Sequence, residues 1–380
     1  MTRPPSLRPP LLLALFIVAT APFMGTLRDL LLDLFGRRFV LALAAGFALA
    51  VAGLVAAAAL RVREPRRPAR LLRLGGLALA LVLLGVQVVG FGTGNLQVDA
   101  VERIHFLEYG ALGLLFYRAF RRHADASALP LTVLAVALVG VVDEAVQWWM
   151  PVRSGDVRDV ALNAYAGLCG LLFGVALEPP RGFRWRPDLP AARRIGRTAA
   201  VALLAFALFF DRAHLGYEIA DPEIGRFRSF HSREQLAELK AERARAWAAD
   251  PPAGLAPLGK EDFYLTAAGW HVEHRNTSYH RGDWFHAWKE NRILEVYYTP
   301  FLALRSFRPP HAPHRLPEAQ RSEINAKRPR PDPVPYESPV LRGRVAVVPR
   351  ASFGVVMGLL AAAAALLPEL GRRRRAFDRY

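Results

Sequence analysis

Cysteine is nearly absent from this chain of 380 residues, in which Cys169 stands alone. A single cysteine has no intramolecular partner, so a disulfide framework is excluded. Motifs of nucleic-acid-binding folds are also lacking, and no pattern in the sequence implies a cofactor. Function must therefore be sought among the apolar and charged residues.

Long apolar runs are abundant instead. Hydrophobic residues make up 53% of the chain, and many of them cluster in runs that approach the roughly 20 residues with which a helix crosses a bilayer. The pattern predicts an all-α polytopic membrane protein with about eight transmembrane helices. The candidate spans are 11–26, 39–60, 74–92, 106–120, 129–149, 157–177, 198–214 and 351–368. The first also fits a cleavable signal peptide, but we predict an uncleaved anchor.

Basic residues orient these spans, since short cytoplasmic loops collect Lys and Arg. Outside residues 211–350 there are 28 basic residues, all arginine, and a cytoplasmic N-terminus places 22 of them inside and six outside. We therefore predict a multi-pass protein of the bacterial inner membrane with both termini cytoplasmic and residues 211–350 extracytoplasmic. The net charge of +17 follows mainly from this topology, because residues 211–350 carry only +4 of it. It does not indicate a nucleic-acid partner.

The predicted topology divides the chain into six segments. They are N-terminal transmembrane helices (1–98), a transmembrane core (99–177), a cytoplasmic loop with the seventh span (178–210), a mainly helical extracytoplasmic domain (211–304), a proline-rich tether (305–350) and a final span with a basic tail (351–380). Within the domain we predict a loop over 211–228 and helices over 232–249, 260–276 and 283–304. The tether is expected to be extended or to lie as a coil over the domain. Residues 211–350 fit the docking of an envelope protein partner.

Histidines in the exposed domain raise the question of a metal. His271 and His274 lie three residues apart, as helical metal ligands can. The spacing is not that of a His-Glu-x-x-His motif, and no cysteine assists. Core or interfacial histidines explain the segment more simply, so we predict no metal site.

Ionisable residues collect at one end of spans four to six. A charge in hydrocarbon costs at least about 2.5 kcal/mol, so such residues are functional candidates. The polar set comprises Glu102, Arg103, His105, Glu108, Tyr109, Asp143, Glu144, Gln147, Arg153, Asp156, Arg158, Asp159 and Asn163. Helical spacing places Asp159, Asn163, Gly167, Gly170 and Gly174 on one stripe. Small residues at that spacing predict close helix packing.

Among these residues, Glu144 lies deep in its predicted span and most needs a polar partner. It lies seven residues before Pro151, hence about 10 Å from the helix end at the helical rise per residue. A carboxylate at that depth needs a partner. Arg153, Arg158 and His105 are the candidates.

These residues carry a family resemblance. The segment 102–110, with Glu102-Arg103 and His105-Phe106 before Tyr109, and the series Asp143-Glu144, Gln147, Pro151, Arg153, Asp156, Asp159 and Asn163 resemble the VanZ-like family of bacterial membrane proteins. The resemblance covers about residues 99–177. One departure is that Glu102-Arg103 begins three residues before the histidine, whereas many members have an acidic-basic pair that begins four before it. The resemblance implies a protein of the cell envelope, in a family whose founding member is linked to low-level teicoplanin resistance, and it implies no reaction.

Three hypotheses remain open for the polar set. The first is an ion-pair network of Asp143, Glu144, Arg153, Arg158 and Asp159 that fixes helix packing. The second is a site that binds or scaffolds an anionic envelope lipid, or a lipid-linked precursor, at the outer leaflet. Arg153 and Arg158 would hold phosphate or carboxylate in fork geometry, and the polar residues around them would set specificity. Those residues are His105, Glu108, Tyr109, Asp143, Glu144, Gln147, Asp156, Asp159 and Asn163.

The third hypothesis is a membrane enzyme that modifies a lipid headgroup. His105, Asp143 and Glu144 are its catalytic candidates, since a carboxylate with a raised pKa and a histidine can exchange protons. Asp143 and Glu144 are adjacent, however, so on a helix they diverge by about 100° and cannot point at one atom without help. We therefore expect binding or scaffolding before catalysis.

Overall fold

The computed structural model describes residues 6–62, 67–92, 96–150, 155–180, 182–250, 263–306, 312–332 and 334–377. Its helices are α1 (Arg8–Thr20), α2 (Met24–Phe35), α3 (Phe39–Arg61), α4 (Arg67–Gly90), α5 (Leu96–Phe120), α6 (Ala128–Trp149), α7 (Val157–Leu177), α8 (Leu189–Ala213), α9 (Arg233–Ala249), α10 (Phe263–His280), α11 (Trp284–Tyr297), α12 (Thr299–Leu302), α13 (Glu318–Lys327) and α14 (Arg350–Phe377). Strands β1 (Tyr217–Asp221) and β2 (Gly225–Ser229) pair antiparallel. The chain divides into two compact units. Unit 1 comprises Met1–Gln147, Gly155–Leu208 and Val355–Tyr380, and unit 2 comprises Trp148–Ser154 and Phe209–Gly354.

Six helical stretches in the described part of the chain are long and apolar enough to cross a membrane. They are Arg8–Phe35, Phe39–Arg61, Pro68–Gly90, Ala128–Trp149, Val157–Leu177 and Arg350–Glu369. The two remaining predicted spans lie in α5 and α8, which are helical but more charged. The N-terminal half of α5 carries the polar residues that lie between positions 102 and 109, and the apolar run of α8 is confined between Arg197 and Asp211. The helical, membrane-type architecture is confirmed, whereas the count of eight spans is not.

Close packing of α5 against α7 organises unit 1. A Cβ atom built on Gly170 of α7 would lie 1.8 Å from the Gly110 carbonyl oxygen of α5, and one on Gly113 would lie 2.2 Å from the Gly167 carbonyl oxygen. Real Cβ atoms do not approach backbone this closely, so only glycine permits the crossing. The predicted role of the glycine stripe is confirmed. Because α5 and α7 touch backbone to backbone, their polar ends are held at a fixed separation.

The prediction of a loop over residues 211–228 was wrong. α8 continues to Ala213, and β1 and β2 then form a hairpin in which Tyr217 lies opposite Ser229 and Asp221 opposite Gly225. The hairpin contributes Ile219 and Phe227 to the buried core, and Ile224 is buried at its turn. The alternation of buried Phe227 with Arg226 and Arg228, which are exposed and half-buried, is the strand pattern that the sequence contained.

Helices fill the rest of unit 2 as the sequence predicted, with shifted ends. α9 begins with a capping box in which Ser232 and Gln235 satisfy each other's backbone N–H groups. α11 begins at Asp283, whose carboxylate accepts the backbone N–H of His286. The core lies between the hairpin, α9, α10 and α11, and contains Leu236, Tyr264, Ile293, Leu294, Tyr297 and Tyr298 among its buried residues.

The proline-rich segment belongs to this core. It contains α13, which the proline content did not predict, and Leu316 and Ile324 are buried against Trp288. Farther along, the backbone of Tyr336 and Ser338 hydrogen-bonds to Arg226 of β2. The described residues 312–350 are therefore an integral layer of unit 2, which the alternative of an extended tether did not anticipate.

Candidate functional site

A buried polar layer joins α5 to α6 in unit 1. The Tyr109 hydroxyl of α5 donates to Asp143 Oδ2 at 3.0 Å, and Gln147 Nε2 donates to the same oxygen at 3.1 Å. Gln147 Nε2 also lies 3.2 Å from Glu144 Oε1. These four residues are at most 5% exposed. The adjacent carboxylates therefore do converge on one atom, because Gln147 lies one helical turn beyond both of them.

Glu144 connects this layer to the start of α7. Its Oε2 accepts the backbone N–H of Asp156 at 3.0 Å. Asp156 is itself the N-cap of α7, and its Oδ1 accepts the backbone N–H of Arg158 at 2.9 Å. A carboxylate suits both positions, since the first N–H groups of a helix have no intrahelical acceptor. Asp156 was predicted to contact a ligand, and in the structure its side chain caps α7.

Arg158 occupies the outer part of the site. Its Nη1 lies 3.2 Å from Glu102 Oε1 of α5 and 3.3 Å from Asp159 Oδ1, and its Nη2 donates to the Phe91 carbonyl oxygen. The Arg158 side chain is nevertheless 40% exposed, and those of Glu102 and Asp159 are 22% and 38% exposed. Arg158 therefore pairs with these carboxylates at the edge of the bundle, and not with Glu144 as one prediction allowed.

The remaining predicted residues take varied positions. His105 Nδ1 lies 3.0 Å from Glu108 Oε2, one turn away on α5. Asn163 is buried beside Gly140 of α6. Arg153, predicted as a ligand-binding cation, lies outside the described residues. Asp143 Oδ1 is among the buried side-chain atoms that have no hydrogen-bond partner in the described part of the chain.

A second polar cluster lies at the other end of α5 and α7, and sequence reasoning missed it. Arg118 Nε donates to Glu178 Oε1 at 2.8 Å, and Arg121 pairs with Glu178 Oε2. The Tyr117 hydroxyl donates to the Glu178 backbone carbonyl at 2.7 Å. Glu178 could have revealed this cluster, because it is an acidic residue directly after α7. Its partners Arg118 and Arg121 were counted only for the topology. This cluster fixes the ends of two helices.

Asp125 anchors the neighbouring loop between α5 and α6. Arg194 Nη2 of α8 donates to its Oδ2 at 2.6 Å, and the Ser127 backbone donates to its Oδ1 at 2.9 Å. Burial acts to raise the pKa of Asp125, but the hydrogen bonds from Ser127 and the charge of Arg194 hold that pKa below its ordinary value. The carboxylate therefore stays charged and ties α8 to the bundle.

His271 is a fully buried histidine of unit 2. His271 Nδ1 lies 2.5 Å from Glu290 Oε2, both side chains are fully buried, and His274 lies ring to ring with His286. In the described ranges no group of three or more His, Cys, Asp or Glu side chains is arranged to hold a metal ion. His271 therefore acts as the partner of a buried carboxylate.

Comparison with known families agrees with the arrangement in unit 1. A family model described as VanZ/LLP1 matches residues 73–178. This range includes most of α4, from residue 73 onward, and the whole of α5, α6 and α7, so it extends the resemblance seen in 99–177 toward the N-terminus. No curated protein and no solved structure matches the chain. The chain thus carries a VanZ-like segment within a helical membrane protein.

Proposed function

We propose that the VanZ-like segment, residues 73–178, gives this membrane protein a binding site for the headgroup of an envelope lipid. The observation that carries the proposal is the exposed guanidinium of Arg158, oriented by Glu102 and Asp159 at the end of the bundle. A guanidinium presents paired N–H donors in a geometry that matches the oxygens of a phosphate. Held by two carboxylates, it keeps its orientation before a ligand arrives, which lowers the entropic cost of binding.

Charge balance narrows the class of headgroup. Glu102 and Asp159 pair with Arg158, Glu108 pairs with His105, and all three carboxylates are partly exposed. A ligand with only negative charge would meet like charges there, which costs affinity. A headgroup with an ammonium group beside its phosphate satisfies both signs. We therefore favour a zwitterionic headgroup of the ethanolamine-phosphate type over the purely anionic lipid expected from the arginines alone.

The buried layer supports this outer site. Tyr109 and Gln147 both donate to Asp143, and Glu144 accepts the backbone N–H of Asp156 at the start of α7. Such bonds fix the helices that carry Glu102 and Arg158, as rigid supporting residues do beneath a binding site. The predicted arrangement of basic loops would place this end of the spans in the outer leaflet. The ligand would then be a lipid of that leaflet.

Lipid retention by the purified protein tests the proposal. The full-length protein is extracted in mild detergent, and bound lipids are identified by native mass spectrometry for the wild type, Arg158→Gln and Arg121→Gln. Arg121 is the matched control, because it pairs with Glu178 at the opposite end of the bundle. We expect Arg158→Gln to lose bound phosphatidylethanolamine and Arg121→Gln to keep it. Equal retention by all three folded proteins overturns the proposal.

A purely structural ion-pair network is the second candidate. It is favoured by the observation that Asp143, Glu144 and Arg158 each already have hydrogen-bond partners within unit 1. It predicts a loss of thermal stability in Arg158→Gln with unchanged lipid content. A lipid-modifying enzyme has less support, since His105 lies against Glu108 on its own helix.

A further inference from the structure

A half-open groove of about 300 Å³ runs along unit 1 between four helices. Its walls come from α3, α4, α5 and α7, and every wall residue is apolar. The lining includes Val51, Val55, Ala80, Leu107, Ala111 and Phe173. Its volume is at the lower end of the roughly 300–1,000 Å³ of ligand pockets. An apolar groove at the depth of membrane spans excludes a polar ligand.

The groove starts directly beneath the proposed headgroup site. Glu102, Phe106, Gly110 and Leu114 are spaced four residues apart, so they follow one another along a single face of α5. The last three line the groove, and they extend over about 12 Å at the helical rise. Glu102 pairs with Arg158 just above them. The polar site and the groove thus share a helix face.

Aromatic rings separate the two regions. The Tyr165 ring of α7 lies with its centroid 6.4 Å from that of Phe106 and 6.2 Å from that of Phe91. The Phe91 carbonyl oxygen accepts from Arg158. The order along the bundle is therefore a guanidinium, a layer of aromatic rings and then a wholly apolar groove. Lipids present the same order, with a charged headgroup, a glycerol region and a hydrocarbon chain.

From this continuity we propose that the groove holds one acyl chain of the lipid whose headgroup meets Arg158. The inference rests on the proposed function, and it adds that the protein recognises a whole lipid and not a free phosphate compound. Groove walls are no more apolar than the surrounding lipid tails, so the chain gains packing contacts and not hydrophobic burial. The groove then determines which way the chain leaves the headgroup. One acyl chain of the lipid should therefore contact the protein at a defined set of positions, the residues that line the groove.

Photo-crosslinking tests this contact. The full-length protein is placed in lipid nanodiscs that contain phosphatidylethanolamine with a diazirine near the end of one acyl chain, and crosslinked peptides are mapped by mass spectrometry. We expect the label to concentrate on residues 107–114 of α5 and 169–173 of α7. Label spread evenly over every lipid-facing helix overturns the inference, and so does label concentrated on a face outside the groove.

Two tryptophan variants separate the groove from the headgroup site. Ala111→Trp fills the groove from an exposed position, and Ala56→Trp places the same ring on an exposed part of α3 that does not line it. We expect Ala111→Trp to lower crosslinking at 169–173 roughly fivefold or more, a change of about 1 kcal/mol in affinity, and Ala56→Trp to leave it unchanged. Equal crosslinking in both variants overturns the chain site.

The headgroup variant keeps the two failures distinguishable. If Arg158→Gln removes bound phosphatidylethanolamine while Ala111→Trp changes neither retention nor crosslinking, the chain site fails and the headgroup site stands. If Arg158→Gln changes nothing while Ala111→Trp still removes the groove crosslink, the groove binds chains independently of the proposed headgroup site, which overturns their linkage.

Discussion

The Tyr109 hydroxyl donates to Asp143 Oδ2 at 3.0 Å, and both side chains are almost fully buried between α5 and α6. The bond links two helices that are 34 residues apart in the chain at this point. A hydrogen bond between buried side chains is costly to lose, because the group left behind stays out of water without that partner. Removing this hydrogen bond therefore tests directly whether the buried polar layer stabilises unit 1.

Removal of that hydroxyl should destabilise the protein. Tyr109→Phe leaves Gln147 Nε2 as the donor to Asp143 Oδ2, and a buried polar group that loses a hydrogen-bond partner costs about 1–3 kcal/mol. We expect a melting temperature several degrees lower in detergent. Tyr165→Phe is the control, because the Tyr165 hydroxyl donates to the Leu83 backbone carbonyl of a helix and should matter less. Equal shifts for the two variants would contradict this role.

The crossing of α5 and α7 gives a sharper steric prediction. In Gly170→Ala the new methyl group would lie 1.8 Å from the Gly110 carbonyl oxygen, so the helices must separate. Overpacking typically costs about 1–3 kcal/mol and sometimes more. Gly85→Ala is the control, because nothing lies within 4 Å of its added Cβ. We expect a large loss of thermal stability for the first variant alone, and equal melting temperatures would refute the close crossing.

The sequence predicted unit 1 better than unit 2, and the reason is physical. Helical periodicity and a bilayer-length apolar run are local signals, so the helices and the glycine stripe were found. The Arg158–Glu102 pair was not, because its members are 56 residues apart and Arg158 was predicted only as one of three candidate partners of Glu144. Sequence spacing fixes which residues share a helix face, but it does not fix which faces meet.

The proline-rich segment shows the same limit. The prolines predicted an extended tether or a coil laid over the domain, and Tyr336 and Ser338, which lie between Pro335 and Pro339, both donate to Glu290 Oε1. Proline removes backbone donors without preventing side-chain contacts. The tie between this segment and α11 is a tertiary contact, and no local pattern in the segment reveals it.

Glu290 should be the most sensitive carboxylate of unit 2. Burial acts to raise its pKa, but the charge of His271 and the hydrogen bonds from Ser338 and Tyr336 hold that pKa below its ordinary value. Glu290→Gln leaves His271 without its charged partner, and breaking a buried pair costs about 3–5 kcal/mol. We expect a strongly lowered melting transition for unit 2, whereas Glu238→Gln, at an exposed position of α9, should leave it unchanged. Matching melts for the two variants would argue against a stabilising network.

Acid should weaken unit 2 through His314. Its ring stacks on Phe301 with centroids 4.4 Å apart, and burial, followed by the charge of Arg275, lowers its pKa from 6.5 to about 4. The folded form therefore binds fewer protons than the unfolded form between these values, so stability is present above pH 6.5 and is lost as pH falls toward 4. The full shift corresponds to about 3 kcal/mol, less for a ring that is partly exposed.

Melting temperatures measured across this window should fall with pH in the wild type. His314→Phe keeps the stacking and should flatten the dependence, and His280→Phe, at an exposed position, should retain it. An unchanged slope in His314→Phe would assign the acid sensitivity to other groups.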